Sequence, residues 1–265
     1  MKLRALGATG LLVSPLGLGT VKLGRREGLR YPRRFEIPDD RDAMRLLETA
    51  RECGINLLDT APAYGSSEER LGRLLRGVRS DWVVCTKAGE EFDGGVSRFD
   101  FSASHTRASV ERSLHRLGTD YLDIVLVHSD GEDLRILEEC EALDELARLK
   151  REGLVLAIGM STKTVAGGIA AAPRCDVLMV SYNLRHRAER AVLDACAENG
   201  TGVMIKKALA SGRLCGDDGR LLQQSFDLVY AHPAVSSVIT GTADPAHLLQ
   251  NVAAAERAMD PCRDG

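Results

Sequence analysis

Short runs of apolar residues alternate along the chain with longer stretches in which apolar side chains recur every three or four positions. The short runs have the length of buried strands, and the longer stretches have the periodicity of amphipathic helices. This alternation predicts a parallel sheet covered by helices. Eight strands are predicted, at Leu16–Thr20, Ile55–Leu58, Val83–Lys87, Leu122–Val127, Val155–Gly159, Val177–Val180, Gly202–Lys206 and Val235–Thr240.

Capping signals indicate where the first two long helices begin. Asp39 is a predicted N-cap for a helix that runs to Cys53, because its carboxylate can accept from the free amide groups of the first turn. Ser66, followed three residues later by Glu69, predicts a capping box. Helical periodicity predicts further helices near residues 104–116, 134–151, 164–171, 187–198, 219–230 and 245–257.

The number and spacing of these units indicate the fold class. One strand and one helix in every ~33 residues fit a (β/α)8 barrel. Residues 7–10, Gly-Ala-Thr-Gly, separate two short apolar runs and predict a two-stranded hairpin before the first barrel strand. A doubly wound nucleotide-binding fold would need the fingerprint GxGxxG, which Gly17 and Gly19 begin and Lys22 breaks. We therefore predict a single α/β domain over residues 1–265, a (β/α)8 TIM barrel.

Composition narrows the classes of partner. The 265 residues carry a formal net charge of −3, which gives no basis for binding nucleic acid or an anionic membrane. Seven cysteines form no CxxC pair, so the sequence predicts neither a disulfide framework nor a metal site. No apolar run approaches the roughly 18–20 residues that cross a bilayer. These features predict a soluble cytoplasmic protein, and they leave its oligomeric state open.

Titratable residues stand at the ends of the second, third and fourth predicted strands. Asp59 follows the second strand, Lys87 ends the third, and His128 follows the fourth. Tyr64 lies five residues after Asp59, in a turn that contains Pro62. Because the carboxyl ends of barrel strands form one face, where barrel enzymes hold their active sites, we expect these side chains to converge.

These four residue types together make a proton donor. A free tyrosine has a pKa near ~10 and is a slow acid at neutral pH. A lysine ammonium beside Tyr64 would stabilise its phenolate, a carboxylate would hold that lysine, and a histidine would orient a substrate oxygen. Each residue alone has an ordinary explanation, as a turn cap, a loop packing residue or a core histidine. A lysine pointing into a barrel without a partner is rare, and the four together favour chemistry.

The arrangement resembles the catalytic tetrad of the aldo-keto reductase family, and the resemblance extends over essentially the whole chain. It implies that the N-terminal hairpin closes the bottom of the barrel, that Tyr64 is the general acid, and that Lys87, Asp59 and His128 assist it. It also implies a nicotinamide cofactor. The residues that match the family's cofactor-binding positions are Ser161, Thr162, Tyr182, Lys206, Leu209, Ser211, Gly212, Gly241, Thr242, His247, Gln250 and Asn251.

The sequence departs from the family's pattern at the cofactor. Met179 stands where relatives have a glutamine, and a methionine cannot make two directed hydrogen bonds to a carboxamide. Lys206 falls near the position of the aromatic residue that stacks on nicotinamide in many members. Gly241 and His247 replace a basic pair that surrounds the 2′-phosphate. NADP(H) is therefore the preferred cofactor of this prediction, and NAD(H) is possible.

The loop after the first strand is long and basic. The functional interpretation is an electropositive lid for an acidic or phosphorylated carbonyl compound, and the alternative is a solvated loop. Lys22, Tyr31 and Phe92 are candidate substrate contacts. The basic residues of this loop are Lys22, Arg25, Arg26, Arg30, Arg33 and Arg34.

The predicted function is an NADP(H)-dependent oxidoreductase that transfers hydride between nicotinamide and an aldehyde, a ketone or the matching alcohol. One alternative is an NADP(H)-binding regulatory or redox-sensor protein with little turnover, which the altered nicotinamide contacts leave open. A weaker alternative is an isomerase or lyase barrel that binds no nicotinamide. The sequence does not identify the physiological substrate or the direction of the reaction.

Overall fold

The computed structural model describes residues 1–29, 35–214 and 219–260. Eight strands, from the third to the fifth and from the eighth to the twelfth, pair in parallel and close into a barrel. All eight correspond to predicted strands. In chain order the strands are β1 (Arg4–Ala5), β2 (Leu12–Val13), β3 (Leu16–Gly19), β4 (Leu57–Asp59), β5 (Val83–Ala88), β6 (Glu90–Asp93), β7 (Val96–Phe99), β8 (Leu122–His128), β9 (Val155–Ser161), β10 (Val177–Ser181), β11 (Gly202–Lys206) and β12 (Val235–Thr240).

At least one helix follows each barrel strand, which confirms the (β/α)8 TIM barrel. No helix within the described ranges is long and apolar enough to cross a membrane. The helices are α1 (Val21–Gly24), α2 (Asp40–Glu52), α3 (Ser67–Leu74), α4 (Ala103–Leu117), α5 (Asp133–Glu139), α6 (Ala142–Arg151), α7 (Val165–Ala171), α8 (Arg190–Asn199), α9 (Arg220–Tyr230) and α10 (Pro245–Ala258).

The hairpin of β1 and β2 closes the amino end of the barrel, as the family resemblance implied. Leu6 and Val13 are fully buried and join the cluster of side chains inside the barrel. Gly7 has a φ of +53°, and a Cβ on it would lie 2.2 Å from the backbone nitrogen of Gly202, where β11 begins. The backbone of the hairpin therefore packs directly against the backbone at the start of β11. Glycine at position 7 permits both the positive φ and this close approach.

Apolar side chains fill the barrel interior and leave chemistry only at the carboxyl ends of the strands. The strands alternate, so that one set of residues packs against the helices and the other against itself in the centre. The inner cluster comprises Leu6, Val13, Leu57, Val83, Cys85, Ile124, Leu126, Ala157, Val177, Met179, Met204 and Ile239.

Two local predictions about helices were wrong, and one was confirmed. Asp39 caps α2, with its side chain accepting from the backbone nitrogen of Asp42 at 2.8 Å. Ser66 makes no side-chain capping bond, because its ψ of 9° departs from the extended conformation that a capping serine adopts. The stretch 134–151 is two helices rather than one, since Cys140 is extended and separates α5 from α6.

The sequence analysis missed a second hairpin, which stands at the carboxyl end of β5. Strands β6 and β7 pair in antiparallel register around Gly94 and Gly95, both of which have positive φ. The signal was a glycine pair between short runs with β propensity, which is typical of a tight hairpin turn. The consequence for the site is that Glu90 and Phe92 lie at the barrel mouth on an ordered element.

Candidate active site

A buried ion pair between Lys87 and Asp59 forms the centre of the candidate site. Asp59 is the last residue of β4, and its backbone carbonyl accepts from the backbone nitrogen of Thr20 at 2.9 Å. Lys87 lies on the neighbouring strand β5, and its Nζ lies 2.6 Å from Oδ1 of Asp59. The same ammonium donates to the carbonyl oxygen of Thr60 at 2.7 Å. Strand pairing therefore sets the position of the lysine.

Tyr64 and His128 lie beside this pair, as predicted. Tyr64 ends a short 3-10 turn, Pro62–Tyr64, and Nζ of Lys87 is 4.7 Å from the centroid of its ring. His128 ends β8, and its ring meets that of Tyr64 edge-on with the centroids 6.4 Å apart. The structure thus brings all four residues of the predicted tetrad together at the carboxyl ends of neighbouring strands.

The surroundings of Lys87 keep it charged. Burial alone would lower its pKa, but the negative charges of Asp59 and of a Tyr64 phenolate outweigh burial and raise the pKa well above the ordinary range. The ammonium is thus a fixed positive charge at physiological pH. Such a charge favours ionisation of a neighbouring phenol.

His128 has a carboxylate partner that the sequence analysis did not identify. Its Nδ1 lies 2.8 Å from Oε2 of Glu90, although the angle at the ring is too poor for a well-formed hydrogen bond. Burial of Glu90 opposes its charge, yet His128, Ser97 and Arg25 together lower its pKa to about 2. Burial lowers the pKa of His128, while the charge of Glu90 opposes that effect.

An arginine and a phenylalanine stack at the mouth of the site. The guanidinium of Arg25 lies 3.2 Å from the centroid of the Phe92 ring, and its Nη1 donates to the carbonyl of Ala63 at 2.9 Å. Arg25 therefore reaches the residue next to Tyr64. Lys22 instead stacks on Phe35 at 5.1 Å. Tyr31, with Arg30, Arg33 and Arg34, lies outside the described residues.

A second polar group lies across the barrel, at the ends of β9 and β11. Nζ of Lys206 donates to Oγ of Ser161 at 2.7 Å and to the carbonyl oxygen of Thr162 at 2.8 Å. Tyr182 is buried directly after β10, and Asn183 donates to the carbonyl of Lys207 at 3.0 Å. The predicted nicotinamide contacts are therefore neighbours at one side of the mouth.

Backbone conformation sets apart the segment after β11. Lys207, Ala210 and Ser211 have φ values of 57°, 47° and 58°, which is the left-handed region that residues other than glycine rarely adopt. Three such residues within five positions store strain, and strain of this kind clusters at ligand-binding sites. Leu209 and Gly212 lie in the same segment.

The last group of predicted cofactor residues follows β12 and opens α10. Gly241 and the buried Thr242 lie in the turn, and the buried Asn251 lies within the helix. His247 is exposed, and its Nδ1 is 3.4 Å from Oδ2 of Asp244. Gln250 is also exposed. A cavity of about 310 Å³ lies next to this turn, but none of these predicted residues lines it. Its lining is Glu36, Pro38, Asp42, Arg45, Ala243, Asp244 and Pro245.

Comparison with known proteins gives one consistent family. The family model described as the aldo/keto reductase family matches residues 15–229. A solved structure from Pseudomonas aeruginosa, assigned to the aldo-keto reductases, is 55% identical with a TM-score of 0.90, covering 97% of this chain and 95% of that one. D-threo-aldose 1-dehydrogenase of a Pseudomonas species is 33% identical, covering 79% of this chain and 70% of that protein. NADH-specific methylglyoxal reductase of Escherichia coli strain K12 is 32% identical, covering 82% and 70%.

The match covers the barrel strands that carry Asp59, Tyr64, Lys87 and His128, and the hairpin-closed barrel is the architecture of the solved relative over nearly its full length. The chain therefore belongs to the aldo/keto reductase family and is an NAD(P)-dependent carbonyl oxidoreductase.

Proposed function

We propose that the protein reduces an aldehyde or ketone, or oxidises the matching alcohol, with Tyr64 as the group that transfers the proton. The observation that carries this proposal is the buried ammonium of Lys87, held 2.6 Å from Asp59 and 4.7 Å from the ring centroid of Tyr64. Asp59 keeps the lysine charged, and the lysine lowers the cost of forming the phenolate. A nicotinamide dinucleotide, when bound, supplies or accepts the hydride.

His128 has a separate task in this proposal, which is to orient the substrate oxygen. Glu90 lies against Nδ1 and favours a proton there, which directs the other ring nitrogen to hydrogen-bonding with substrate. A neutral imidazole in this tautomer accepts from an alcohol hydroxyl, and a protonated one donates to a carbonyl oxygen. Glu90 is thus proposed as the positioning residue of His128.

The residues around the rest of the mouth fit a dinucleotide. The buried hydroxyls of Thr162 and Thr240 have no hydrogen-bond partner within the described part of the chain. Because buried polar groups are normally hydrogen-bonded, these two hydroxyls could bind polar atoms of a ligand. We assign Ser161, Thr162, Tyr182 and Lys206 to the nicotinamide end, and Gly241, Thr242, His247, Gln250 and Asn251 to the adenosine end. The strained segment with Leu209, Ser211 and Gly212 would hold the phosphates.

Preference for NADP(H) over NAD(H) is the finer part of the proposal. The cavity beside α10 has three carboxylates, those of Glu36, Asp42 and Asp244, against the single guanidinium of Arg45. His247 is paired with Asp244. A 2′-phosphate would therefore gain less here than at a basic clamp. The preference for NADP(H) rests on the family resemblance, and the acidic cavity is the reason to expect clear use of NAD(H) beside it. The relative from Escherichia coli is named as specific for NADH.

The names of the relatives and the residues at the mouth of the barrel support a proposal for the substrate class. The two curated relatives are named for an aldose and for methylglyoxal, both small polar carbonyl compounds. Arg25, Phe92 and Glu90 offer a cation, an apolar face and a hydrogen-bond acceptor at the mouth. We propose a small polar aldehyde or aldose as the substrate. We also propose that residues 1–265 act as a single barrel domain and that the reaction takes place in the cytoplasm.

A fluorescence titration with NADPH and NADH, followed by a turnover screen of small aldehydes and aldoses, tests this function. Tyr64→Phe should reduce turnover by roughly 10²–10⁴-fold, because it removes only the transferable proton, and should leave dinucleotide affinity within a few-fold. Wild-type turnover in that variant would refute the role of Tyr64. Binding without turnover by the wild-type protein would favour a redox sensor, and absence of binding would favour an isomerase or lyase.

A further inference from the structure

A second lysine, the half-buried Lys206, lies among the residues that we assign to the nicotinamide end. It ends β11, one strand removed from Ser161 at the end of β9, and its Nζ is 2.7 Å from the serine Oγ. The other contact is the carbonyl oxygen of Thr162, at 2.8 Å. Because Lys206 occupies an acceptor position of the serine hydroxyl, the hydroxyl proton remains available to a ligand.

The partners of this ammonium are uncharged. In the described ranges of the chain, no carboxylate lies within 4 Å of Lys206, whereas Lys87 has Asp59 at 2.6 Å. The carboxylate whose charge influences it is Glu189, which is 1% exposed and has one oxygen without a hydrogen-bond partner among the described residues. The other charged groups that act on it are cations: Lys87 on β5, Lys163 after β9 and Lys207 after β11.

This environment makes the charge of Lys206 adjustable. Burial, followed by the repulsion of Lys207, Lys163 and Lys87, lowers its pKa to about 7, and the opposing charge of Glu189 is too weak to restore it. Ammonium and amine forms are therefore both populated near neutral pH. His128 on β8 also responds to Lys206, whose charge lowers the pKa of the imidazole.

We propose that Lys206 determines which redox form of the nicotinamide the protein holds, by placing a positive charge beside Ser161. The proposal rests on the proposed function, in which Ser161 contacts the nicotinamide end. The oxidised ring carries one positive charge and the reduced ring carries none, while the rest of the dinucleotide is identical. The ammonium therefore disfavours the oxidised form alone, by roughly tenfold to a hundredfold for a partly buried pair of like charges.

The sign of the pH dependence follows from the same charge. An oxidised nicotinamide beside Lys206 lowers the pKa of the lysine further, so that its binding releases a proton. The dissociation constant of NADP⁺ should fall as pH rises through about 7, the pKa of the free lysine. The dissociation constant of NADPH should stay nearly constant over the same range. At lower pH the protein thus holds the reduced cofactor and is poised for carbonyl reduction.

A purely structural role for Lys206 makes a different prediction. If the lysine only orients Ser161, its loss disturbs a contact to the carboxamide, which both redox forms carry. Both dissociation constants would then change by the same factor, at every pH. The ratio of the two constants separates a charge effect from a positioning effect.

The test is a fluorescence or calorimetric titration of the full chain with NADP⁺ and with NADPH between pH 6 and 8.5. The variants are Lys206→Met, which removes the charge, and Lys206→Arg, which makes it permanent. Lys150→Met is the matched control, because Lys150 pairs with Asp176 just before β10, at the amino end of the barrel. Glu189→Gln shifts the titration without changing Lys206.

We expect the ratio of the NADP⁺ to the NADPH dissociation constant to fall at least tenfold in Lys206→Met at pH 6 and to lose its pH dependence. In Lys206→Arg the ratio should stay high throughout, and in Glu189→Gln its midpoint should move to lower pH. Equal changes for both redox forms, or a wild-type ratio that is flat with pH, overturn the proposal. A wild-type protein that binds neither form overturns the proposed function itself.

Discussion

Two lysines face each other across the mouth of this barrel, Lys87 buried and Lys206 half-buried, and they differ in the charges that surround them. Lys87 has a carboxylate at 2.6 Å, and its pKa is raised despite burial. Lys206 has a hydroxyl and a carbonyl oxygen at similar distances, and burial with neighbouring cations lowers its pKa to about 7. One side of the mouth therefore carries a fixed charge and the other carries a titrating one.

Position inside the barrel mouth does not by itself decide the charge of a lysine. Lys87 lies one residue before the end of β5 and Lys206 ends β11, and burial lowers the pKa of each. The difference lies in the neighbouring charges. Asp59 and Tyr64 raise the pKa of Lys87, whereas the cations around Lys206 lower its pKa further. A fixed cation suits a group that must stabilise a phenolate on every turnover, and a titrating one suits a group that discriminates between charged and neutral ligands.

Lys87→Met removes the fixed positive charge and should have the largest effect. It removes the cation beside Tyr64, so we expect carbonyl reduction to fall by about 10³-fold or more. It also leaves the carboxylate of Asp59 buried without a partner, which should lower the free energy of unfolding by ~3–5 kcal/mol. Steady-state kinetics and chemical denaturation measure the two effects, and Lys150→Met is the surface control. Wild-type stability in the variant would contradict the buried ion pair.

Lys206→Met should change stability in the opposite direction. A lysine whose pKa falls on folding binds fewer protons in the folded than in the unfolded state, so it destabilises the fold at neutral pH. Replacing it with methionine should raise the free energy of unfolding by about 1 kcal/mol or more at pH 7, less the two hydrogen bonds that are lost. Since the cost of the lysine is relieved as pH rises toward ~10, the gain over wild type should shrink on that approach. A stability loss as large as that of Lys87→Met would mean that the two lysines are alike.

The sequence predicted the fixed side of the mouth far better than the titrating side. Asp59, Lys87 and His128 were identified because apolar strand patterns end at each of them, and strand order alone places their side chains together. The hydrogen bond between Lys206 and Ser161 joins residues 45 positions apart and depends on the barrel's closure, which no local pattern encodes. The same reason hid Glu90, which reaches His128 only through a hairpin of mostly polar residues.

Glu90→Gln tests whether the carboxylate that the β6–β7 hairpin carries sets the pKa of His128. The negative charge of Glu90 raises the pKa of the imidazole against the effect of burial, so its removal should lower that pKa further. The limb of the kcat/KM profile that reports His128 should move to lower pH, with a smaller change in the maximal rate. An NMR titration of the His128 ring checks the assignment. A profile that does not move would reduce Glu90 to a structural partner of Ser97.

Asp244→Asn removes an exposed negative charge and should have the smallest effect. Asp244 caps α10 through the backbone nitrogen of Ala246, and asparagine caps equally well, so the helix should be undisturbed. Loss of the negative charge should favour NADPH over NADH by roughly two- to fivefold in relative affinity, the size of an exposed ion-pair interaction.

Salt separates this effect from that of Lys206. The side chain of Asp244 is about half exposed, so added salt should screen its influence on the 2′-phosphate over a Debye length of about 8 Å. The redox discrimination assigned to the half-buried Lys206 should weaken less under the same conditions. Titrations with NADPH and NADH at low and high ionic strength measure the effect of Asp244 on cofactor preference. Titrations with NADP⁺ and NADPH under the same conditions measure the redox discrimination by Lys206. If salt weakened both effects equally, the charge of Lys206 would be as open to solvent as that of Asp244, and the difference in their exposure would not govern cofactor choice at this mouth.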